Sequence, residues 1–163
     1  MVKGAITEAR RLAYHNLMVV EDNTQDAVLL ERAFKKAELH NPVHVLSTGE
    51  EAVDYLAGVG RYSDRTQYPL PILIFLDLHL PARSGLSVLE WLRSQPNISR
   101  IPVIVLTGSK NSDDVRKAYS LGANSYMVKP TDYSSLTRMV EASKRYWLTL
   151  NVYPSVSPFP LRF

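Results

Sequence analysis

From residue 17 to about residue 150, short apolar runs alternate with longer amphipathic stretches. Leu17-Met18-Val19-Val20 is an apolar run that ends in acids. Asp22 or Asn23 can then cap a helix reaching about Leu39, because Ala27, Leu30, Phe34 and Ala37 return at helical spacing. Val43-His44-Val45-Leu46 alternates apolar and polar, as a strand near a sheet edge does. Thr48 and Glu51 stand at capping-box spacing and open a helix to Ala57. Gly58 to Pro71 is a long connection rich in Tyr, Arg, Gly and Pro, a length at which loops are often functional. The unbroken run Ile72 to Leu76 predicts a strand covered on both faces. A helix from about Gly85 to Ser94 brings Leu86, Leu89 and Leu92 together. Val103 to Leu106 is another buried strand, and Asn111 to Gly122 is helical, with Val115, Ala118, Tyr119 and Gly122 on one face. Ser125 to Val128 makes a fifth strand, and Asp132 can cap a last helix running to about Leu150.

Five strands alternating with five helices imply an α/β fold, a parallel sheet with helices on both faces. In such sheets ligands sit beyond the carboxyl ends of the strands, near a topological switch point. The 163 residues suit one domain with an appendage, and 45% hydrophobic against 21% charged residues argues against disorder. A net charge of +3, spread along the chain, neither demands nor excludes nucleic acid. No recognition helix stands outside the sheet pattern, so nucleic acid is not an expected partner. The absence of cysteine excludes disulfides, thiol catalysis and thiolate metal sites. No apolar run approaches the roughly 20 residues of a membrane span, and residues 1–16 lack the apolar core of a signal peptide. A cytoplasmic protein without membrane partners is the expectation.

The carboxyl ends of the strands hold the candidate chemistry. The first ends at Glu21-Asp22, the third at Asp77, the fourth at Thr107 and the fifth at Lys129-Pro130. If these strands are neighbours, three carboxylates, a hydroxyl and an amine converge. Two carboxylates ~4 Å apart repel by about 4 kcal/mol at an effective dielectric of about 20, so the cluster needs positive charge. Lys129 supplies one unit, and a divalent cation would supply two. Oxygen donors without His or Cys suit Mg2+ or Mn2+. An Asp carboxylate can attack phosphorus, with Thr107 and Lys129 stabilising charge on the phosphoryl oxygens.

The stretches Val20-Glu21-Asp22-Asn23, Ile74-Phe75-Leu76-Asp77-Leu78-His79-Leu80-Pro81, Val105-Leu106-Thr107-Gly108-Ser109 and Tyr126-Met127-Val128-Lys129-Pro130 resemble the receiver domains of two-component response regulators. The match runs from about Leu17 to Leu150. The resemblance implies a flavodoxin-like (CheY-like), doubly wound five-stranded sheet in the order 2-1-3-4-5. It implies that Asp77 accepts a phosphoryl group from a histidine kinase. Asp22 would bind Mg2+ directly, Glu21 through water, and the backbone carbonyl of His79 would be a further ligand. Thr107 would move to bond the phosphoryl group. Lys129 would bond the acceptor or a phosphoryl oxygen, with a cis peptide before Pro130. Tyr126 would be the switch aromatic, its ring turning inward as Thr107 moves. The change would be read on the face of the fourth helix, fifth strand and fifth helix. Kinase docking is expected at the first helix and the loop after Lys129. Glu-Asp-Asn at 21–23, the Arg61-Tyr62 to Pro71 insertion, Asp-Leu-x-Leu-Pro at 77–81 and Tyr146-Trp147-Leu148-Thr149 resemble, more narrowly, receivers that partner phytochrome-type kinases. His79 stands where that group often has Asn, which bears on the lifetime of the acyl phosphate. Gly108 is small and leaves phosphoryl access open.

The chain therefore divides into an extension (residues 1–16), a receiver (17–150) and a tail (151–163) too short for an output domain. Its signal would pass by protein contact, or it would serve as a relay or phosphate sink. The tail's Val152, Tyr153, Val156, Phe159, Leu161 and Phe163 are expected to cover the chain's own body or a second copy. Related receivers dimerise, so a homodimer through the last helix and tail is expected. The side chains of His15, His40, His44 and His79 lack metal-ligand spacing, and Trp91, Tyr146 and Trp147 read as core or interface anchors. A haloacid-dehalogenase-type phosphatase also uses a strand-end Asp with Mg2+, Thr and Lys. It wants a second Asp two residues on, where this chain has His79, and a cap domain. A flavin or nucleotide binder needs a phosphate loop after the first strand, where Glu21-Asp22-Asn23 would repel phosphate. The reading is a signalling protein with self-catalysed phosphotransfer rather than an enzyme.

Overall fold

The computed structural model describes residues 15–153. The strands are β1 (Leu17–Val20), β2 (Val43–Leu46), β3 (Leu73–Leu76), β4 (Val103–Thr107) and β5 (Ser125–Val128). The helices are α1 (Thr24–Lys36), α2 (Gly49–Ala57), α3 (Gly85–Ser94), α4 (Ser112–Ser120) and α5 (Tyr133–Arg145). All strand pairs are parallel and lie in the order β2-β1-β3-β4-β5, the expected flavodoxin-like arrangement.

Successive strand residues point to opposite faces, so the sheet makes two cores. Met18, Val20, Ile74, Leu76, Val103 and Val105 face α2, α3 and α4, where they meet Ala52, Leu56, Val88, Leu89, Leu92 and Ala118. Leu17, Val19, Leu73, Phe75, Ile104 and Leu106 face α1 and α5, where they meet Leu30, Ala33, Phe34, Leu136 and Val140. Burying each such Leu, Ile or Phe stabilises the fold by roughly 1.5–3 kcal/mol relative to exposure. β2 is the edge its alternating sequence predicts, with Val45 exposed.

Most helix ends follow their caps. Asn23, not Asp22, caps α1, its Oδ1 accepting from Gln25 N and Asp26 N at 2.9 and 3.1 Å. Thr48 Oγ1 accepts from Glu51 N, but the Glu51 carboxylate reaches one residue further back, to Ser47 N at 3.1 Å. The expected run of α1 to Leu39 is too long. The helix ends at Lys36, Glu38 takes a left-handed φ of 53°, and Leu39 N bonds to Phe34 O at 3.0 Å. Leu39 then packs against the α1/α5 core, which is why the apolar spacing outlasts the helix. The α winding of the last helix stops at Arg145. Tyr146–Leu150 form a wider π turn, closed by Asn151 N on Tyr146 O at 2.7 Å. Of the residues at helical spacing in α4, Ala118 is fully buried whereas Tyr119 is half exposed at 51%. No helix among the described residues is long and apolar enough to cross a membrane.

The connection between residues 58 and 71 is packed rather than loose. The rings of Tyr55, Tyr62 and Tyr68 pack with centroids 5.0–5.9 Å apart, Tyr68 edge-on to the other two. Arg65 donates to the carbonyls of Tyr55, Leu56 and Tyr68, closing the C-terminus of α2. The expected tail contacts of Val156, Phe159, Leu161 and Phe163, and most of the extension at 1–16, lie outside the described residues.

Candidate functional site

The sheet ladder continues one residue past three strands, and that residue is a candidate site residue each time. Glu21 N bonds to Leu46 O (2.9 Å), Asp77 N to Val20 O (3.0 Å) and Lys129 N to Thr107 O (2.8 Å). The backbones of Glu21, Asp77 and Lys129 are thus fixed by neighbouring strands, while their side chains project beyond the two cores. Thr107, the last residue of β4, is fully buried.

One oxygen from each of Glu21, Asp22 and Asp77 falls within 4.8 Å of the others. Glu21 and Asp77 are 6% exposed, whereas Asp22 faces solvent. Three hard oxygens open to solvent on one side fit a divalent cation of the Mg2+ or Mn2+ type. Lys129 Nζ donates to Asp77 Oδ2 at 2.6 Å, to Glu21 Oε2, and to Asp26 Oδ2 at 3.1 Å. Burial alone would lower the Lys129 pKa; its bonds to Asp77 and Glu21 outweigh that and hold it above the ordinary lysine value. For Glu21 the balance is reversed. Burial raises its carboxyl above the usual range despite Lys129 and the Asn23 N–H, with the Asp77 charge adding to the rise.

The loop after β3 is held tightly. His79 N donates to Asp77 Oδ1 at 3.1 Å. Arg83 N bonds to Pro81 O at 2.7 Å, enclosing Ala82 at φ 60° in a sharp turn. Gly85 N bonds to Leu78 O, and a Cβ on Gly85 would lie 2.0 Å from the Asp77 carbonyl oxygen. A Cβ on Gly49 would lie 2.3 Å from the Arg83 carbonyl oxygen. Glycine at both places lets α2 and α3 close on the loop that carries Asp77.

The predicted residues Glu21, Asp22, Asp77 and Lys129 are therefore brought together. Thr107 lies beside them through the loop, its Oγ1 3.4 Å from His79 Nδ1. Tyr126 is partly buried against the α2/α3/α4 core, and its hydroxyl donates to Ser109 O at 3.1 Å. Ser109 in turn donates to Asp114 Oδ2 at 2.6 Å, which ties the β4–α4 loop to α4. The expected cis peptide before Pro130 is corrected: no cis bond occurs among the described residues. A trans bond, favoured by about 0.5–1 kcal/mol even before proline, already delivers Lys129 to its three carboxylates.

Sequence reasoning missed Asp26, the imidazole of His79 and the linking role of Ser109. No local signal marked Asp26, because an acid in the first turn of a helix is ordinary and its partner Lys129 is 103 residues away.

The family model of the response regulator receiver domain matches residues 17–141. The chain is 39% identical over 138 residues to the probable methanogenesis regulatory protein FilR2 of Methanothrix harundinacea, covering 85% of this chain and 86% of that one. It is 34% identical over 139 residues to the response regulator Rcp1 of Synechocystis, covering 85% and 92%. The Mn(2+)-bound crystal form of Rcp1 superposes with a TM-score of 0.78, covering 86% of this chain and 99% of that one. The phosphorylated cyanobacterial phytochrome response regulator RcpA superposes with a TM-score of 0.81 at 35% identity, covering 87% and 99%.

Proposed function

The chain belongs to the response regulator receiver family, and from that premise we propose that Asp77 is its phospho-acceptor, served by Glu21, Asp22, Thr107 and Lys129. The observation that carries the assignment is the Lys129 ammonium seated on Asp77 Oδ2 at 2.6 Å, beside the three clustered carboxylates. In the reaction, an Asp77 carboxylate oxygen attacks the phosphorus of a kinase phosphohistidine. The new P–O bond forms as the P–N bond breaks, and the imidazole nitrogen keeps the electron pair. Lys129 follows the negative charge from the carboxylate to a phosphoryl oxygen. The Thr107 hydroxyl leaves the neighbourhood of His79 to donate to another, and Tyr126 then exchanges its Ser109 contact for an inward position. Glu21, Asp22, Asp77 and the His79 carbonyl would hold a divalent cation, which when bound offsets the charge of the phosphoryl oxygens.

The sensor is a histidine kinase of phytochrome type. The support is similarity to RcpA and to Rcp1, with the packed 58–71 insertion and the aromatic end of the last helix pointing the same way. The chain signals as a homodimer. Tyr146 and Leu150 in the last turn and Val152 just beyond it are 53%, 61% and 76% exposed, apolar surface costly to leave in water. Light scattering of a chain truncated after Leu150 tests the tail's part, and unchanged dimerisation would remove it.

The acceptor is tested with acetyl phosphate, or beryllofluoride, in the presence of Mg2+. The unaltered chain gains the modification and Asp77→Asn does not. Equal modification of both would overturn the assignment.

A further inference from the structure

Lys129 has three N–H donors, and the described structure gives it three carboxylate partners: Glu21, Asp77 and Asp26. Two of them, Glu21 and Asp77, belong to the oxygen cluster that fits a cation. An ammonium and a cation therefore compete for the same two side chains. Asp26 is different. It stands in the first turn of α1, outside that cluster, with its side chain 42% exposed at the rim. Its place is fixed by the Asn23 cap, which accepts its backbone N–H at 3.1 Å.

We propose that Asp26 is a positioning residue that holds the Lys129 ammonium when a cation draws on Glu21 and Asp77. This rests on the function proposed above and adds a residue to it. With Asp26 present, Lys129 can slacken its grip on Glu21 and Asp77 without losing a charged partner. The ammonium stays aimed at the place where phosphoryl oxygens arrive. Without Asp26, Lys129 must lean on the two metal-binding carboxylates, and a cation has to displace it. Asp26 thus uncouples placement of the lysine from occupancy of the metal cluster.

The test is a calorimetric Mn2+ titration of the whole chain in a double-mutant cycle. Asp26→Asn keeps the shape of the side chain and removes its charge. It is expected to weaken Mn2+ binding by about fivefold when Lys129 is present. In a Lys129→Met background the same change should weaken binding by less than about twofold, the residue of simple long-range charge. Asp26→Glu, which keeps the charge on a longer arm, should recover affinity to within about twofold of the unaltered chain. Equal losses in both backgrounds would reduce Asp26 to a background charge and overturn the inference. So would an unaltered affinity for Asp26→Asn. Absence of saturable Mn2+ binding in the unaltered chain would instead strike the proposed function itself, and this inference with it.

Discussion

Replacing Gly85 by alanine adds one methyl group at the tightest backbone approach in the site. That carbon would stand 2.0 Å from the Asp77 carbonyl oxygen and 2.8 Å from Leu78 Cα, where ordinary contact begins near 3.4 Å. Both neighbours are backbone, so no side chain can swing aside. Either α3 or the Asp77 loop must retreat by about 1.4 Å, the gap between the clash and ordinary contact. Overpacking of this kind costs about 1–3 kcal/mol, and a rigid backbone neighbour puts Gly85→Ala at the upper end. Alanine also restricts the unfolded chain, which returns about 0.4–1 kcal/mol. The net loss is about 2 kcal/mol, a large part of a total stability of roughly 5–15 kcal/mol. With a urea m-value of about 2 kcal/mol/M, the midpoint should fall by about 1 M. Mn2+ affinity should fall with it, because the displaced backbone carries Asp77. Gly108→Ala is the control: a Cβ there meets nothing within 4 Å, and its midpoint should hold or rise. A Gly85→Ala midpoint at or above that of the unaltered chain would refute the reasoning.

Asn23→Ala removes the acceptor for two N–H groups at the start of α1 and should cost about 1 kcal/mol in urea unfolding, with Asn23→Ser recovering most of it. Glu38→Gly relieves a left-handed residue on an exposed turn and should stabilise by about 0.5–1 kcal/mol in the same assay. Lys144→Met leaves the Ala37 and Glu38 carbonyls without their ammonium donor, and should speed amide exchange at the end of α1 while leaving α3 unchanged. Burial would raise the Glu51 carboxyl, but bonds from Tyr62 and Ser47 and the Arg61 charge prevail and hold it below its ordinary 4.5. A depressed carboxyl stabilises the fold above its unfolded pKa and loses that contribution as pH falls through the folded one. Stability of the unaltered chain should therefore drop more steeply below about pH 4.5 than that of Glu51→Gln, as measured by urea midpoints across the acid range.

The sheet was legible because periods of two and of about 3.6 alternate sharply along the chain, and because each buried run stops at a polar residue. Leu76 followed by Asp77 is such a stop, and so is Val20 followed by Glu21. A strand ending in an acid places that acid where α/β sheets do chemistry, so the core of the candidate site was legible in the amino-acid sequence. What escaped was whatever depends on three-dimensional return. Leu39 keeps helical spacing with the residues before it although the chain has already turned at Glu38, since packing against the core needs proximity and not continued helix. Asp26 looks like an ordinary first-turn acid, favourable at a helix N-terminus on its own account. Only the sheet order brings Lys129, 103 residues away, within reach of it. His79 beside Thr107 is a similar case, because a loop tightened by Ala82 and Gly85 decides where the imidazole falls.

The strand-end ladder also explains why the acids sit where they do. Carboxylates on a mobile loop would splay until their repulsion, about 4 kcal/mol for a pair ~4 Å apart at an effective dielectric of about 20, had largely relaxed. Such a loop would then have to pay that energy back to gather them around a cation. Glu21 and Asp77 cannot splay, because their backbone N–H groups are bonded to Leu46 and Val20 inside a sheet buried on both faces. Their repulsion is instead carried by the fold, offset by Lys129 and by the backbone N–H groups of Asn23 and His79, and it adds to the burial that pushes the Glu21 carboxyl upward. Folding thus prepares the charge that cation and phosphoryl chemistry later use, and the apolar sheet supplies the stability that makes the preparation affordable.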